Sequence, residues 1–231
     1  MKSLKIYIKE SIFGDIDDIV SNDSVLIEQF LKDNYEISGT YTINKDGTVD
    51  VKGHVKVKNR EIESLTNGAF RFGMVNGSFY CNNCINLKSL EGSPREVGKT
   101  FSCTDCTKLT SLEGAPEVVG EKFYCNNCIR LVSLEGAPEV VGENFYCAGC
   151  SKLVSLKGAP KKVGGDFWCG GCRGLTSLKG APKRVGGGFY CSYCSKLTSL
   201  KGAPEEVGGS FWCNNCPDLI ITQRDKKKYK L

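Results

Sequence analysis

The sequence predicts a β-rich solenoid, in which 22-residue coils stack one parallel sheet behind a small α+β cap at the N-terminus. Three observations predict this class. A 22-residue period runs unbroken from Phe79 to Ser210, glycines recur at two points of every period, and a proline follows one of them. Apolar residues also recur at fixed positions. Coils that pack only on their neighbours need such regularity, whereas a fold with one compact core does not.

Each coil is expected to contain a short strand that begins at its phenylalanine. Six full copies of the repeat are followed by a seventh that breaks off. We therefore expect seven short parallel strands in one sheet, which begin at Phe79, Phe101, Phe123, Phe145, Phe167, Phe189 and Phe211. Any antiparallel pair among them would contradict the solenoid.

The coil FWCGGCRGLTSLKGAPKRVGGG shows how the chain is expected to turn. Phe167 and Cys169 point inward and Trp168 points outward, because side chains alternate along a strand. The Gly164-Gly165 pair before the strand permits a turn with positive φ. Two leucines then return to the core, Gly-Ala-Pro makes a second corner, and Val185 closes the coil. The region between the strands is expected to be an irregular arc.

The N-terminal part, residues 1–54, is expected to cap the solenoid. NDSVLIEQFLKDN predicts a short helix that Asn22 or Asp23 caps, because apolar residues recur four apart. Asp46-Gly47 predicts a hairpin turn. Residues 1–13 fit a helix or a strand equally. His54 is expected to face outward.

The solenoid itself is assigned to residues 55–221 and is followed by a flexible basic tail, residues 222–231. A degenerate first coil precedes the regular ones. Its expected inward residues are Val55, Val57, Ile62 and Leu65.

The apolar positions resemble a leucine-rich repeat, whose motif is L-x-x-L-x-L-x-x-N/C-x-L. Four residues of one coil fall on apolar and Asn/Cys positions of this motif: Val163, Phe167, Cys169 and Cys172. Leu175 follows one residue late, which resembles the cysteine-containing subtype. The wording SLEGAPEVVG is similar to repeat proteins of large tailed bacteriophages and bacteria. The resemblance covers residues 55–221 and implies a binding surface without naming a partner.

The seven C-x-x-C pairs contain all 14 cysteines and allow several interpretations. The favoured one is two ladders of buried, reduced, metal-free thiols, because Cys169 points inward and buried cysteine behaves as a small apolar residue. Zinc shared between adjacent coils is an alternative, although seven pairs leave one over. Disulfides within a pair would need a shorter Cα separation than extended chain allows. Thioredoxin-like redox chemistry would need a following helix.

A column of aromatic residues is expected on the outer side of the strands. It occupies the position between the inward phenylalanine and cysteine, and its five consecutive members are Tyr124, Tyr146, Trp168, Tyr190 and Trp212. An exposed aromatic patch of this length favours a protein partner. The alternative is that the stacked rings only stabilise neighbouring strands.

The charge is uneven along the chain. Residues 79–144 carry 6 basic and 9 acidic side chains, whereas residues 145–210 carry 10 and 3, and residues 211–231 carry 5 and 2. The basic half could bind a nucleic acid or another polyanion. The candidate residues are Lys161, Lys162, Lys183 and Arg184, which are expected in the arc.

These features favour a non-enzymatic, cofactor-free module that binds a protein partner. With one histidine in the chain, a Ser-His-Asp arrangement is confined to His54, and no phosphate-binding loop is present. The first residues lack the apolar core of a signal peptide, and no apolar run has the ~20 residues of a membrane span. We therefore expect a cytoplasmic location, that of a bacterial host if a phage encodes the protein. A polyanion binder and a zinc-binding structural repeat protein are the alternatives.

Overall fold

The computed structural model describes residues 16–231, so the expectation for residues 1–13 lies outside the described residues. Helix α1 (Ile16–Asn34) leads into an antiparallel hairpin of β1 (Tyr35–Ile43) and β2 (Thr48–Val57). Short strands β3 to β16 follow, and helix α2 (Gln223–Tyr229) comes last. The predicted class is confirmed: coils of about 22 residues form one continuous sheet, in which every pair beyond β1–β2 is parallel.

Each regular coil contributes two short strands to this sheet. The predicted strands form one ladder: β4 (Phe79–Tyr80), β6 (Phe101–Ser102), β8 (Phe123–Tyr124), β10 (Phe145–Tyr146), β12 (Phe167–Trp168), β14 (Phe189–Tyr190) and β16 (Phe211–Trp212). The second ladder was not predicted: β3 (Arg71–Val75), β5 (Glu96–Val97), β7 (Val118–Val119), β9 (Val140–Val141), β11 (Lys162–Val163), β13 (Arg184–Val185) and β15 (Glu206–Val207). Strand β2 pairs with both β3 and β4 and so joins the two ladders.

The glycine corner between the two strands is where the backbone hydrogen bonds reverse direction. Directly after strand β11 the amide of Gly164 donates to Val141 of the preceding coil, at 3.0 Å. In the second strand the amide of Phe167 donates to Gly188 of the following coil, at 2.9 Å. The coil therefore needs a sharp corner, and that corner repeats at every period.

Close approach, and not a positive φ, explains the first glycine of this corner. The expectation of positive φ at Gly164-Gly165 is wrong, because neither residue is among those in the left-handed region. A Cβ on Gly164 would lie 2.0 Å from the carbonyl oxygen of Gly142 in the coil below. The Gly-Ala-Pro corner does use a positive φ, which is +92° at Gly180.

Polar side chains of the preceding coil accept from the amides that precede four of the phenylalanines, those of Ser78, Thr100, Asp166 and Gly188. The Asp166 amide donates to Asn144 Oδ1 at 2.8 Å, and the Gly188 amide donates to Asp166 Oδ1 at 2.7 Å. At the N-terminal end, His54 Nδ1 accepts from the amide of Ser78 at 3.0 Å. His54 is exposed, as predicted, and it takes the first place in this series.

The core is a stack of identical layers. The phenylalanine rings from Phe79 to Phe211 lie 5.2–5.6 Å apart and within 20° of parallel. The expected inward residues of the degenerate first coil, Val55, Val57, Ile62 and Leu65, are all buried. The 22-residue period therefore places equal side chains above one another along the whole solenoid.

The two cysteines of a pair differ in their hydrogen bonds: the second has a regular acceptor, whereas of the first cysteines Cys81 and Cys103 donate, to the Ser102 and Tyr124 carbonyls at 3.4 and 3.5 Å. All thiols are free, and all are buried except Cys216, which is half-buried in the last coil. The second cysteine donates its S–H to the carbonyl of the first cysteine one coil earlier, as Cys172 does to Cys147 at 3.1 Å. This contact recurs at 3.0–3.4 Å from Cys106 to Cys216. It satisfies a buried carbonyl that the strand ladders leave unpaired.

The N-terminal helix and hairpin close one end of the core. Asn22 and Asp23 lie within helix α1 and not at its start, so the predicted cap is wrong. Ile27 and Leu31 are buried, as their spacing predicts. The Tyr35 hydroxyl donates to the Leu65 carbonyl, and its ring lies 5.2 Å from that of Phe72. The predicted hairpin turn at Asp46-Gly47 is confirmed.

The basic tail is a helix and not the flexible segment that its charge suggests. Thr222 and Asp225 form a capping box at the start of α2. The Tyr229 ring lies 4.2 Å from Phe211, and its hydroxyl donates to the Pro204 carbonyl at 2.8 Å. Tyr229 thus covers the last phenylalanine as a further coil would.

The different roles of the two cysteines predict different costs for the same substitution. In Cys169→Ser the new hydroxyl has no acceptor in place, so we expect the free energy of unfolding to fall by about 1–3 kcal/mol. In Cys172→Ser the hydroxyl faces the Cys147 carbonyl that the thiol already uses. We expect a smaller loss, and urea denaturation of both variants would measure it. An equal or larger loss in Cys172→Ser would contradict the assigned roles.

Candidate functional site

The aromatic column lies on the outer side of the phenylalanine strands. Parallel pairing sets its members side by side from coil to coil. The Tyr124 and Tyr146 rings lie 4.5 Å apart at 4°, and the Trp168 and Tyr190 rings lie 3.8 Å apart at 13°. Tyr146 and Trp168 are 6.0 Å apart. These four side chains are half-buried, whereas Trp212 in the last coil is 51% exposed.

A serine ends this stack towards the N-terminus. Ser102 occupies the column position between Tyr80 and Tyr124 and is buried. Its hydroxyl donates to Asn82 Oδ1 at 2.5 Å. The continuous aromatic surface therefore runs from Tyr124 towards the C-terminal coil and leaves Tyr80 apart.

Cross-strand stacking alone does not account for every feature of the column. The indole Nε1 of Trp168 is buried without a hydrogen-bond partner, which costs free energy in a structure. Tyr190 lies flat over Gly188, where a Cβ would approach the ring within 2.6 Å. Phenylalanine at position 168 would stack without the unpaired donor, so stability alone does not explain the tryptophan.

One aromatic residue near this column was missed from the sequence. Tyr193 is 64% exposed and has φ of +63°, in the left-handed region that a bulky side chain seldom adopts. The corresponding position in the other regular coils holds Asn, Asp or Gly. The difference between Tyr193 and these small or polar residues was the feature of the sequence that could have identified it. Such strain is typical of functional positions.

Tyr193 borders a shallow groove on the turns of the C-x-x-C pairs. Gly149 and Gly171 occupy its position in the preceding coils and leave a space of about 790 Å³. Asn127 and Asn215 lie at the two ends of the lining, and Arg173 contributes a cation to it. The groove lies three residues along the coil from Tyr190 of the aromatic column.

The four candidate polyanion-binding residues are exposed, but two are neutralised within the chain. Lys161 Nζ lies 2.6 Å from Glu139, and Arg184 lies 3.1 Å from Glu206. Lys162 and Lys183 have no ion pair within the described part of the chain. Lys162 and Arg184 lie in strands β11 and β13, so their expected place in an irregular arc is wrong. They are separated from the aromatic column by the glycine corner.

The thiols are in surroundings that disfavour the thiolate. Burial is the largest cause that raises the pKa of Cys169 well above its ordinary value. Burial likewise raises the pKa of Cys194 to about 12. Thiolates are the form that attacks disulfides and binds metals. Among the described residues, no group of three or more His, Cys, Asp or Glu side chains is arranged to hold a metal ion.

The raised thiol pKa values predict a loss of stability at alkaline pH. Below about pH 7.5, one unit under the ordinary thiol pKa of about 8.5, the thiols are protonated in both states, so stability is independent of their titration. At higher pH the unfolded chain loses these protons while the folded chain keeps them. Each such thiol then lowers the free energy of unfolding by about 1.4 kcal/mol per pH unit.

The variant Cys169→Ala tests this linkage directly. It removes one thiol with a raised pKa, so its unfolding free energy should fall less steeply with pH than that of the parent. Urea denaturation between about pH 8 and pH 10 would measure both slopes. Parallel pH dependences would contradict the argument.

Burial also predicts which thiol reacts in the native protein. Cys216 is only half-buried, whereas the other thirteen cysteines are buried. We expect one rapidly reacting thiol per chain with an aromatic disulfide reagent, and Cys216→Ser should remove it.

Metal analysis of the purified protein tests the zinc alternative. Two or more zinc ions per chain would overturn the interpretation of the cysteines as core residues.

The function of this chain has to be inferred from the surfaces of the molecule. None of the described helices is long and apolar enough to span a membrane. Known protein families, curated proteins and solved structures provide no match to this chain.

Proposed function

We propose that the protein is a non-enzymatic binding module that holds a protein partner against its strand face. The observation that carries this proposal is the stack from Tyr124 to Tyr190, which continues in register to the exposed Trp212. Tyrosine and tryptophan offer large rigid contact areas and dominate binding energies at protein interfaces. Because a solenoid holds these rings on a rigid sheet, little conformational freedom is lost on binding.

Tyr193 extends the proposed surface beyond the sheet. It is exposed, strained and in the same coil as Tyr190, so a partner on the strand face would reach it without leaving the coil. The groove beside it adds polar lining from Asn127 and Arg173. Together the column and the groove offer apolar anchors with a polar rim, the usual composition of a protein interface.

The assignment of these coils to a repeat family rests on the resemblance of their sequence. We propose that the coils are leucine-rich-repeat-like and of the cysteine-containing subtype, since Cys172 donates where that motif places Asn or Cys. The similarity of SLEGAPEVVG to phage repeat proteins supports a role in the cytoplasm of a bacterial host. No catalytic group or cofactor enters this proposal.

Binding of a polyanion is the second candidate function. It would use Lys162 and Lys183, which have no ion pair within the described residues and lie on the basic half of the solenoid. The ion pairs of Lys161 and Arg184 weaken this candidate, because a phosphate would have to displace Glu139 and Glu206. A zinc-binding structural protein has less support, because the thiols donate to carbonyls in the core.

The first experiment should alter the exposed end of the column. Trp212→Ala removes the most exposed ring of the aromatic column, whereas Trp168→Ala would also remove stacking on both neighbouring rings. Val154→Ala is the matched control, because Val154 is 54% exposed and lies outside the column. We expect a partner retained from host lysate by the parent and by Val154→Ala to lose at least tenfold in affinity for Trp212→Ala. The complex should depend only weakly on salt.

The polyanion candidate predicts the opposite pattern. Binding of a short DNA duplex and of heparin should then fall steeply with salt, as counterion release requires. Lys162→Glu with Lys183→Glu should abolish it, while Trp212→Ala should leave it unchanged. That pattern, together with full retention of protein partners by Trp212→Ala, would reject the proposed function.

A further inference from the structure

Two columns of charged residues flank the Gly-Ala-Pro corner. We name the column before the corner column A: Glu91, Glu113, Glu135, Lys157, Lys179 and Lys201. We name the column after it column B: Arg95, Glu117, Glu139, Lys161, Lys183 and Glu205. Every member is exposed, and between the columns lie the small side chains of the corner. The small residues of the corner are therefore bordered by charge on both sides.

The signs in each column invert when the order of the coils is reversed. Column A has three acidic residues followed by three basic ones. Column B runs basic, acidic, acidic, basic, basic, acidic. In both columns the residue of any coil is opposite in sign to the residue at the same distance from the other end. A surface with this property is complementary to itself.

We propose that two copies of this chain associate through this face in antiparallel orientation. A two-fold axis in the plane of contact, perpendicular to the solenoid, sets each column against the same column of the partner. The first coil then meets the sixth, so that Glu91 faces the partner's Lys201. All six distinct pairs in the two columns are opposite in sign, and Arg95 facing the partner's Glu205 is among them. A parallel arrangement, with the two-fold axis along the solenoid, would set column A against column B of the partner, and the facing charges would be alike in four of the six coils.

The common period lets all these pairs form at once. Coils stack at about 4.8 Å in both copies, so the match does not drift along the contact. The column next to B breaks the pattern, because Glu96 and Glu206 would meet as like charges. The contact is therefore centred on the Gly-Ala-Pro corner, away from the aromatic column.

The single chain leaves half of these charges without a partner. Ion pairs within the chain form at changes of sign, such as Glu135 with Lys157 at 2.8 Å and Arg95 with Glu117 at 3.2 Å. Six members have no ion pair within the described residues: Glu91, Glu113, Lys179, Lys183, Lys201 and Glu205. Lys179 and Lys201 are like-charged neighbours on adjacent coils, which is unfavourable. The second copy supplies acidic side chains to both.

The dimer is expected to be weak and sensitive to salt. Exposed ion pairs contribute about 0–1 kcal/mol each, and the two columns extend over only about 24 Å. The association should therefore be strongest at about 0.01 M salt and lost at about 1 M, where the screening length is about 3 Å. Sedimentation velocity up to about 1 mM protein covers the affinity range of such a contact.

Charge reversal gives the decisive test. Lys179→Glu with Lys201→Glu makes column A almost wholly acidic, and Glu91→Lys with Glu113→Lys makes it almost wholly basic. Each double variant alone should raise the dimer Kd at least tenfold, because like charges then face each other. Mixing the two should restore a one-to-one heterodimer, since every facing pair in column A is again opposite in sign.

A matched control and a cross-link complete the design. Lys152→Glu with Lys196→Glu makes the same charge change on exposed residues outside both columns and should leave the dimer unchanged. A zero-length carbodiimide should join Glu91 to Lys201, which lie about 24 Å apart within one chain and can react only between copies. A parent protein that stays monomeric at low salt would overturn the proposal. So would a dimer indifferent to either reversal, or a mixture without heterodimer.

Discussion

The reversal of backbone hydrogen bonding at the glycine corner is the constraint on which the rest of the structure depends. Each coil donates backward through one strand and forward through the next, so it is held by both neighbours. The reversal leaves backbone amides and carbonyls without a partner in either strand ladder. Polar side chains such as Asn144 accept from the unpaired amides, and the second cysteine of a pair donates to the unpaired carbonyl. The strict period of the sequence follows, because each donor needs its acceptor at the same place one coil away.

This constraint also determines what the surface can do. Since coils stack in register, any outward position becomes a straight column with a spacing of about 4.8 Å. Aromatic residues in such a column must stack. Each charged residue must lie beside a residue of like or opposite charge in the adjacent coil. The aromatic column and the two charged columns lie on different sides of each coil. A dimer formed at the Gly-Ala-Pro corner would therefore leave the aromatic column of each copy open to a partner.

The sequence predicted the parts of this fold that depend on periodicity. The parallel strands, the inward phenylalanines and cysteines and the outward column at Trp168 all follow from a two-residue alternation repeated every 22 residues. The second ladder escaped prediction because each of its regular strands has one inward valine, so that Val185 carries no alternation of its own. The role of Gly164 depends on a carbonyl in the neighbouring coil, which no local pattern shows. The helix at residues 223–229 forms where charge suggested disorder, because Tyr229 reaches Phe211.

Both ends of the solenoid are closed by contacts with the nearest coil. Tyr35 covers the first layers, and Tyr229 occupies the place of the next phenylalanine. The repeats between them share one length and the same inward residues, so each coil can pack on any other. A gene that gained or lost one repeat unit would still encode both caps and an unbroken core. Length is therefore a trait that this lineage can change in single steps, while the position at which the columns change sign would move with it.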